Sequence, residues 1–253
     1  MEPGNHWSRL EKVARYRFAR RTLRATGWGS IFFGAVGIAL GLAPPWDWVR
    51  LFVGAVLLGT GTWSIRSPRP AGVVLDGFSL LMVGAYNILG IGLWMHAGMG
   101  VLDSAFWLKL GICQAAWGAL NFLRYARFRE AFHEPAGDAE LQQLEEIVRG
   151  IRGTRASEST DMIEFKSYGW RPEFWKAHLT GDGAVFLASG GETRVAARDE
   201  IEVTVTGGMW VGRSQWATIS INGRKLRCAI APEHLERYHR WKTGFIVTSV
   251  WAA

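Results

Sequence analysis

The sequence predicts an α-helical membrane bundle of four transmembrane helices with both ends cytoplasmic, followed by a cytosolic, mainly β domain. Three observations carry this. Four long apolar stretches fill residues 25 to 123, the short hinges on one side of them carry all the hinge arginines, and beyond residue 161 the apolar pattern changes from helical spacing to alternation.

Residues 1–24 hold seven basic side chains against two acidic ones. Trp7, Leu10, Ala14 and Phe18 recur at intervals of three and four between them. That spacing predicts a basic amphipathic helix lying on the inner leaflet, with Arg15, Arg17, Arg20 and Arg21 placed to meet anionic headgroups. The plainer alternative is a positive-inside anchor that extends the first span.

Residues 25–129 form the predicted membrane domain, with spans over 25–43, 49–65, 72–96 and 105–123. Each is close to the about 20 residues a helix needs to cross hydrocarbon. The hinge at Arg66 and Arg69 and the exit at Arg124, Arg127 and Arg129 face the cytoplasm with the N-terminus, whereas 44–48 and 97–104 contain no lysine or arginine. A cleaved signal peptide does not fit the first span, because Pro44-Pro45 and a second span follow at once. Trp28, Trp46, Trp48, Trp63, Trp94 and Trp107 fall near span ends, as an aromatic belt would. Arg50 and Lys109 sit near outer ends and are expected to snorkel towards Asp47 and Asp103. Glycines such as Gly37 and Gly41 predict close helix packing. Gly34-Ala35 with Ile38 echoes Gly84-Ala85 with Ile88, and Trp48 to Leu51 with Gly59 echoes Trp107 to Leu110 with Gly118, which suggests two tandem hairpins.

Residues 130–160 read as a helical linker. His133 to Gly137 breaks the preceding helix, Asp138 caps a new one, and Leu141, Leu144, Val148 and Ile151 give it one apolar stripe, free to pack on the tail or on a second copy. In 161–253, strands are predicted at Ile163/Phe165, 174–179, 184–187, Ile201/Val203/Val205, 216–221 and 226–230. Asn222-Gly223 is the strongest hairpin signal, and Pro232-Glu233 opens a helix to about Trp241. Residues 245–251 read as a further strand or an apolar appendage. The tail is nearly charge-balanced, with 12 basic and 10 acidic residues, so the net charge of +7 belongs mostly to the membrane flanks and does not point to nucleic acid. The tail is expected to fold alone from about residue 160.

The order of strands around Gly181-Asp182-Gly183 and Gly190-Gly191, then Ala197 to Val203, and finally Pro232-Glu233-His234 into a closing helix resembles the pleckstrin-homology-like domains of bacterial membrane proteins, over about 162–243. The resemblance implies a curved sheet or barrel closed by one helix, a scaffold for lipid or protein contacts, and a place in the bacterial inner membrane. It supplies no site residues.

The intramembrane carboxylate Asp76 should face the bundle or pair with an arginine such as Arg24, Arg66 or Arg124. Asn87, Gln114 and Asn121 either extend a polar track with it or form ordinary interhelical hydrogen bonds. Trp170, Arg171, Trp175, Trp210 and Arg213 pair aromatics with cations, which suits a lipid or partner contact; buried tryptophans at strand ends would give the same letters. Cys113 and Cys228 lie in different phases, so no disulfide is expected. His178, His234 and His239 lack metal spacing, and no phosphate loop, dinucleotide fingerprint or nucleophile elbow is present. The expectation is therefore a protein without enzymatic activity, cofactor or metal, which displays its tail for lipid-headgroup or protein binding at the anionic inner leaflet. A homo-oligomer is compatible with it. The alternative is a small transporter or channel using Asp76, Asn87 and Asn121, with a regulatory tail.

Overall fold

In the computed structural model, residues 3–43, 46–96, 101–155, 159–168, 172–206 and 214–244 are described, with side chains omitted for 3–5, 92–96 and 101–104. The chain forms two compact units: Ala19–Glu134, and Met1–Phe18 together with Pro135–Ala253.

Helix α1 (Pro3–Leu42) contains no proline after its first residue and runs unbroken, so the basic segment and the first apolar stretch are one helix rather than two joined by a turn. Helix α2 (Trp48–Arg66) starts at Asp47, whose carboxylate accepts the Arg50 N–H at 3.1 Å. Helix α3 (Pro70–His96) has proline in its first turn, and helix α4 (Val101–Phe128) ends in a short 3-10 turn, Arg129–Phe132. Among the described residues three helices, not the four expected, are long and apolar enough to cross a membrane: those containing His6–Leu42, Trp48–Arg66 and Pro70–Ile91. Helix α4 matches them in length, but Lys109, Gln114 and Asn121 dilute its apolar character. The helical unit is apolar outside, where Phe32, Phe52, Phe78, Met82 and Leu89 are exposed, and polar or small inside, the arrangement a lipid solvent favours.

Glycine sets the helix contacts. A methyl added at Gly27 would lie 2.7 Å from the Gly61 carbonyl oxygen, and one at Gly61 would lie 2.7 Å from the Gly27 oxygen. Gly34 and Gly54 stand in the same reciprocal relation, and so do Gly77 with Gly118 and Gly84 with Gly111. Backbones can approach this closely only where no side chain intervenes. The second hairpin thus repeats the first with offsets of 50 residues in α1/α3 and 57 in α2/α4, and neighbours repeat too: Ile31 matches Leu81 and Leu58 matches Ala115. The echo read from Gly34 and Gly84 has the right offset. The one read from Trp48 and Trp107 is two residues out, because the glycine contacts of α2 and α4 are 57 residues apart and these tryptophans 59.

The other unit is an antiparallel sheet of seven strands: β1 (Met162–Ser167), β2 (Glu173–Leu179), β3 (Gly183–Ala188), β4 (Thr193–Ala197), β5 (Ile201–Val205), β6 (Gln215–Ile221) and β7 (Arg224–Ile230), in the order β4-β3-β2-β1-β7-β6-β5. Asn222 and Gly223, at φ 50° and 73°, make the predicted tight hairpin. The sheet is not closed into a barrel. Arg198–Glu200 forms a 3-10 turn between β4 and β5, and the two share no ladder; the Asn222 side-chain amide instead donates to the Val195 carbonyl at 3.1 Å.

One face of the sheet packs under helix α6 (Pro232–Thr243), burying Phe165, Trp175, Phe186, Ile219, Ile230, Leu235, Tyr238 and Trp241 together. Helix α5 (Asp138–Gly153) is capped by Gly137 rather than Asp138, and its Leu144, Val148 and Ile151 cover part of the other face. The rest of that cover is α1 itself. Trp7, Leu10, Val13 and Ala14 are buried there with Met162, Val185, Leu187 and Val195, so the amphipathic stripe expected on lipid is occupied by protein. Gly183 makes room for it: a methyl there would lie 2.5 Å from the Trp7 ring. Strand β3 is buried on both faces as a result. Residues 245–251, read as a strand or appendage, lie outside the described residues.

Candidate functional sites

The sheet unit presents one open surface that is both aromatic and basic. Side chains alternate along a strand, so with Phe165, Ser167 and Trp175 turned into the core, Lys166 and Phe174 point outwards. The pairing Phe174–Lys166–Ala229–Trp216 then runs straight across β2, β1, β7 and β6. Lys166 Nζ lies 5.2 Å from the Phe174 ring centroid and 5.4 Å from that of Tyr168, and the Tyr168 and Trp216 rings are 4.7 Å apart. Arg227 is exposed beside them, its carbonyl accepting the Tyr168 N–H. The nearest acid on the same face, Glu164, is paired with Lys176 at 3.3 Å.

Sequence reasoning did not find this surface. Of its own candidates, Trp170, Arg171, Trp210 and Arg213 lie outside the described residues. Trp175 is corrected: it is 2% exposed, stacks on Phe165 and donates its indole N–H to Ser167 Oγ at 3.1 Å, because β2 is registered on β1 so that Trp175 faces inwards. Exposed Arg15 pairs with Glu11. Arg17 is half-buried, 3.5 Å from Glu145 and bonded to Thr193 Oγ1. Arg20 is half-buried and Arg21 exposed, both on α1. Arg9, which sequence reasoning did not single out, grips Glu140 through Nε and Nη2 at 2.7 and 2.8 Å; with the Gly137 N–H, that bond holds the Glu140 carboxyl below its ordinary range.

Inside the helical unit the four predicted polar residues are all buried, in two separate layers. In one, Asn87 accepts from Arg50 Nη2 at 3.2 Å and donates to Gln114 Oε1 at 2.8 Å. Arg50 pairs with Asp47 at 3.4 Å as expected, but the pair is largely buried and not at the surface. Arg50 is 9% exposed, its guanidinium lies 3.8 Å over the Trp107 ring, and Tyr86 donates to Asp47 beside it. In the other layer Asp76, wholly buried, accepts from Ser30 Oγ at 2.7 Å and from Thr60. Of the two expected alternatives it takes the bundle-facing one: no ion pair reaches Asp76 among the described residues, and Arg124 bonds Thr26 Oγ1 and Asn121 Oδ1. Leu57 and Leu80, both fully buried, lie between the two groups along α2 and α3. Cys113 and Cys228 are both free, and no group of three metal-ligating side chains occurs among the described residues.

No protein-family model matches the chain, and no curated protein matches it.

Proposed function

We propose that this is a bacterial inner-membrane protein with no reaction of its own, whose four helices place both termini in the cytoplasm and whose sheet unit is a pleckstrin-homology-like domain for binding anionic lipid headgroups. The arginine distribution supports the topology. Helix α4 then crosses with Gln114 and Asn121 turned into the bundle, where both are buried. The strand order and closing helix support the domain reading.

The observation that carries the binding role is the row Phe174–Lys166–Ala229–Trp216, with Tyr168 and Arg227 beside it. Aromatic rings suit the boundary between headgroups and hydrocarbon, and each cation near an anionic surface contributes about 1 kcal/mol. Tethering by the helices keeps lipid at high local concentration, so weak contacts suffice.

The test uses the full chain in nanodiscs, with a nitroxide on Phe174→Cys in a Cys113→Ser background. In phosphatidylglycerol the label should become accessible to a lipid-dissolved relaxant and lose access to a water-soluble one, and Lys166→Glu with Arg227→Glu should reverse this. A label equally wet in phosphatidylglycerol and phosphatidylcholine removes the lipid reading and leaves a protein partner. The transporter alternative has the buried polar residues in its favour, but Leu57 and Leu80 lie between the two groups.

A further inference from the structure

Asp76 poses a problem of charge that its surroundings do not solve. A carboxylate with no solvent contact costs several kcal/mol unless a positive charge or a full set of donors compensates it. Every element packed around it supplies oxygen or neutral groups: Ser30 from α1, Thr60 from α2, and Gly77 of α3 against Asn121 of α4. Arg124, near the cytoplasmic end of α4, is engaged with Thr26 and Asn121 and lies over the Trp117 ring at 5.0 Å.

A second observation points to a ligand. Ser64, one turn beyond Thr60 on the same face of α2, is 1% exposed, and its hydroxyl has no hydrogen-bond partner among the described residues. It is aimed at α3 one turn from Asp76, where a methyl on Gly72 would lie 2.8 Å from its oxygen. Buried hydroxyls are seldom left unbonded, and here one lies on the Asp76 side of the bundle in space that glycine keeps open.

We infer that Asp76, Ser30, Thr60 and Ser64 form a binding site for a monovalent cation inside the helical unit, either a proton on the carboxyl or a sodium-like ion among the four side chains. A single carboxylate with hydroxyls matches one positive charge. A divalent ion asks for more oxygen ligands and more negative charge than these residues give. The site is independent of the lipid-binding role of the tail.

Infrared difference spectra of the full chain in nanodiscs, wild type minus Asp76→Asn, test this at neutral pH in sodium and in choline. A protonated-carboxyl band in choline that persists in sodium identifies the proton as the ligand. A band that gives way to carboxylate as sodium is added identifies sodium, with the half-saturating concentration raised about tenfold in Ser64→Ala. Ionised carboxylate in both salts, unchanged by either, overturns the site. Should Asp76→Asn fail to assemble, Thr60→Val serves in its place: it keeps the side-chain shape, removes a hydrogen-bond partner and should shift the Asp76 band. No shift there overturns the inference as well.

Discussion

At the scale of single residues, adjacent aromatics in β2 have opposite roles. Trp175→Ala should cost about 3–5 kcal/mol by opening the core between sheet and α6, whereas Phe174→Ser should leave stability nearly unchanged; denaturant titration of the full chain checks both. The letters Phe-Trp do not say which of the two faces inwards. That is set by register against Phe165 and Ser167 on β1, a long-range fact absent from the local pattern. Asp76 was visible as an isolated charge, but its hydroxyl partners depend on how three helices cross. Burial holds His178 and His234 below the ordinary imidazole value, with Arg237 adding to the effect at His234. The unfolded chain takes up these protons near pH 6.5 and the fold resists them, so the stability they confer is full above that pH and is lost as pH falls from about 6.5 through the lower folded values. Hydrogen exchange of sheet amides, corrected for intrinsic rates, should show easier opening at about pH 5.5 than at about 7.5; equal opening energies would refute this.

Among the elements, α1 and α5 matter to the sheet more than the sequence suggested. Their apolar stripes were legible from spacing alone, but not what would cover them, since lipid, a second copy and the sheet all offer an apolar surface. The tail expressed from residue 160 would leave Met162, Val185, Leu187 and Val195 bare. Contrary to the expectation that it folds alone, it should bind a hydrophobic dye and aggregate, and a soluble, dye-silent monomer would show that the cover is dispensable. Strand β4 escaped the alternation pattern because Ala196 and Ala197 are too small to mark a face, and only the family resemblance implied it. In the helical unit, Gly84→Leu should loosen α3 from α4 at a cost of about 1–3 kcal/mol or more. Gly59→Leu, which meets nothing within 4 Å, should be tolerated. Thermal unfolding in lipid separates the two.

For the whole molecule, the division into a helical part and a β part was legible because the apolar period changes once, near residue 161, and the first eighteen residues were misassigned because their partners lie far along the chain. The proposed orientation predicts that cysteines placed near residues 67 and 157 stay protected from a membrane-impermeant reagent in intact cells, while one near residue 100 reacts; external labelling at 157 would reverse the topology. The burial of Trp7 against β3 also has a consequence in time. At about 5–20 residues per second, roughly 10 to 35 s of synthesis separate Trp7 from the strand that covers it. Through that interval the first helix waits with its apolar side uncovered while α2 to α5 are made, so the sheet unit can be completed only after the whole helical unit has been synthesised.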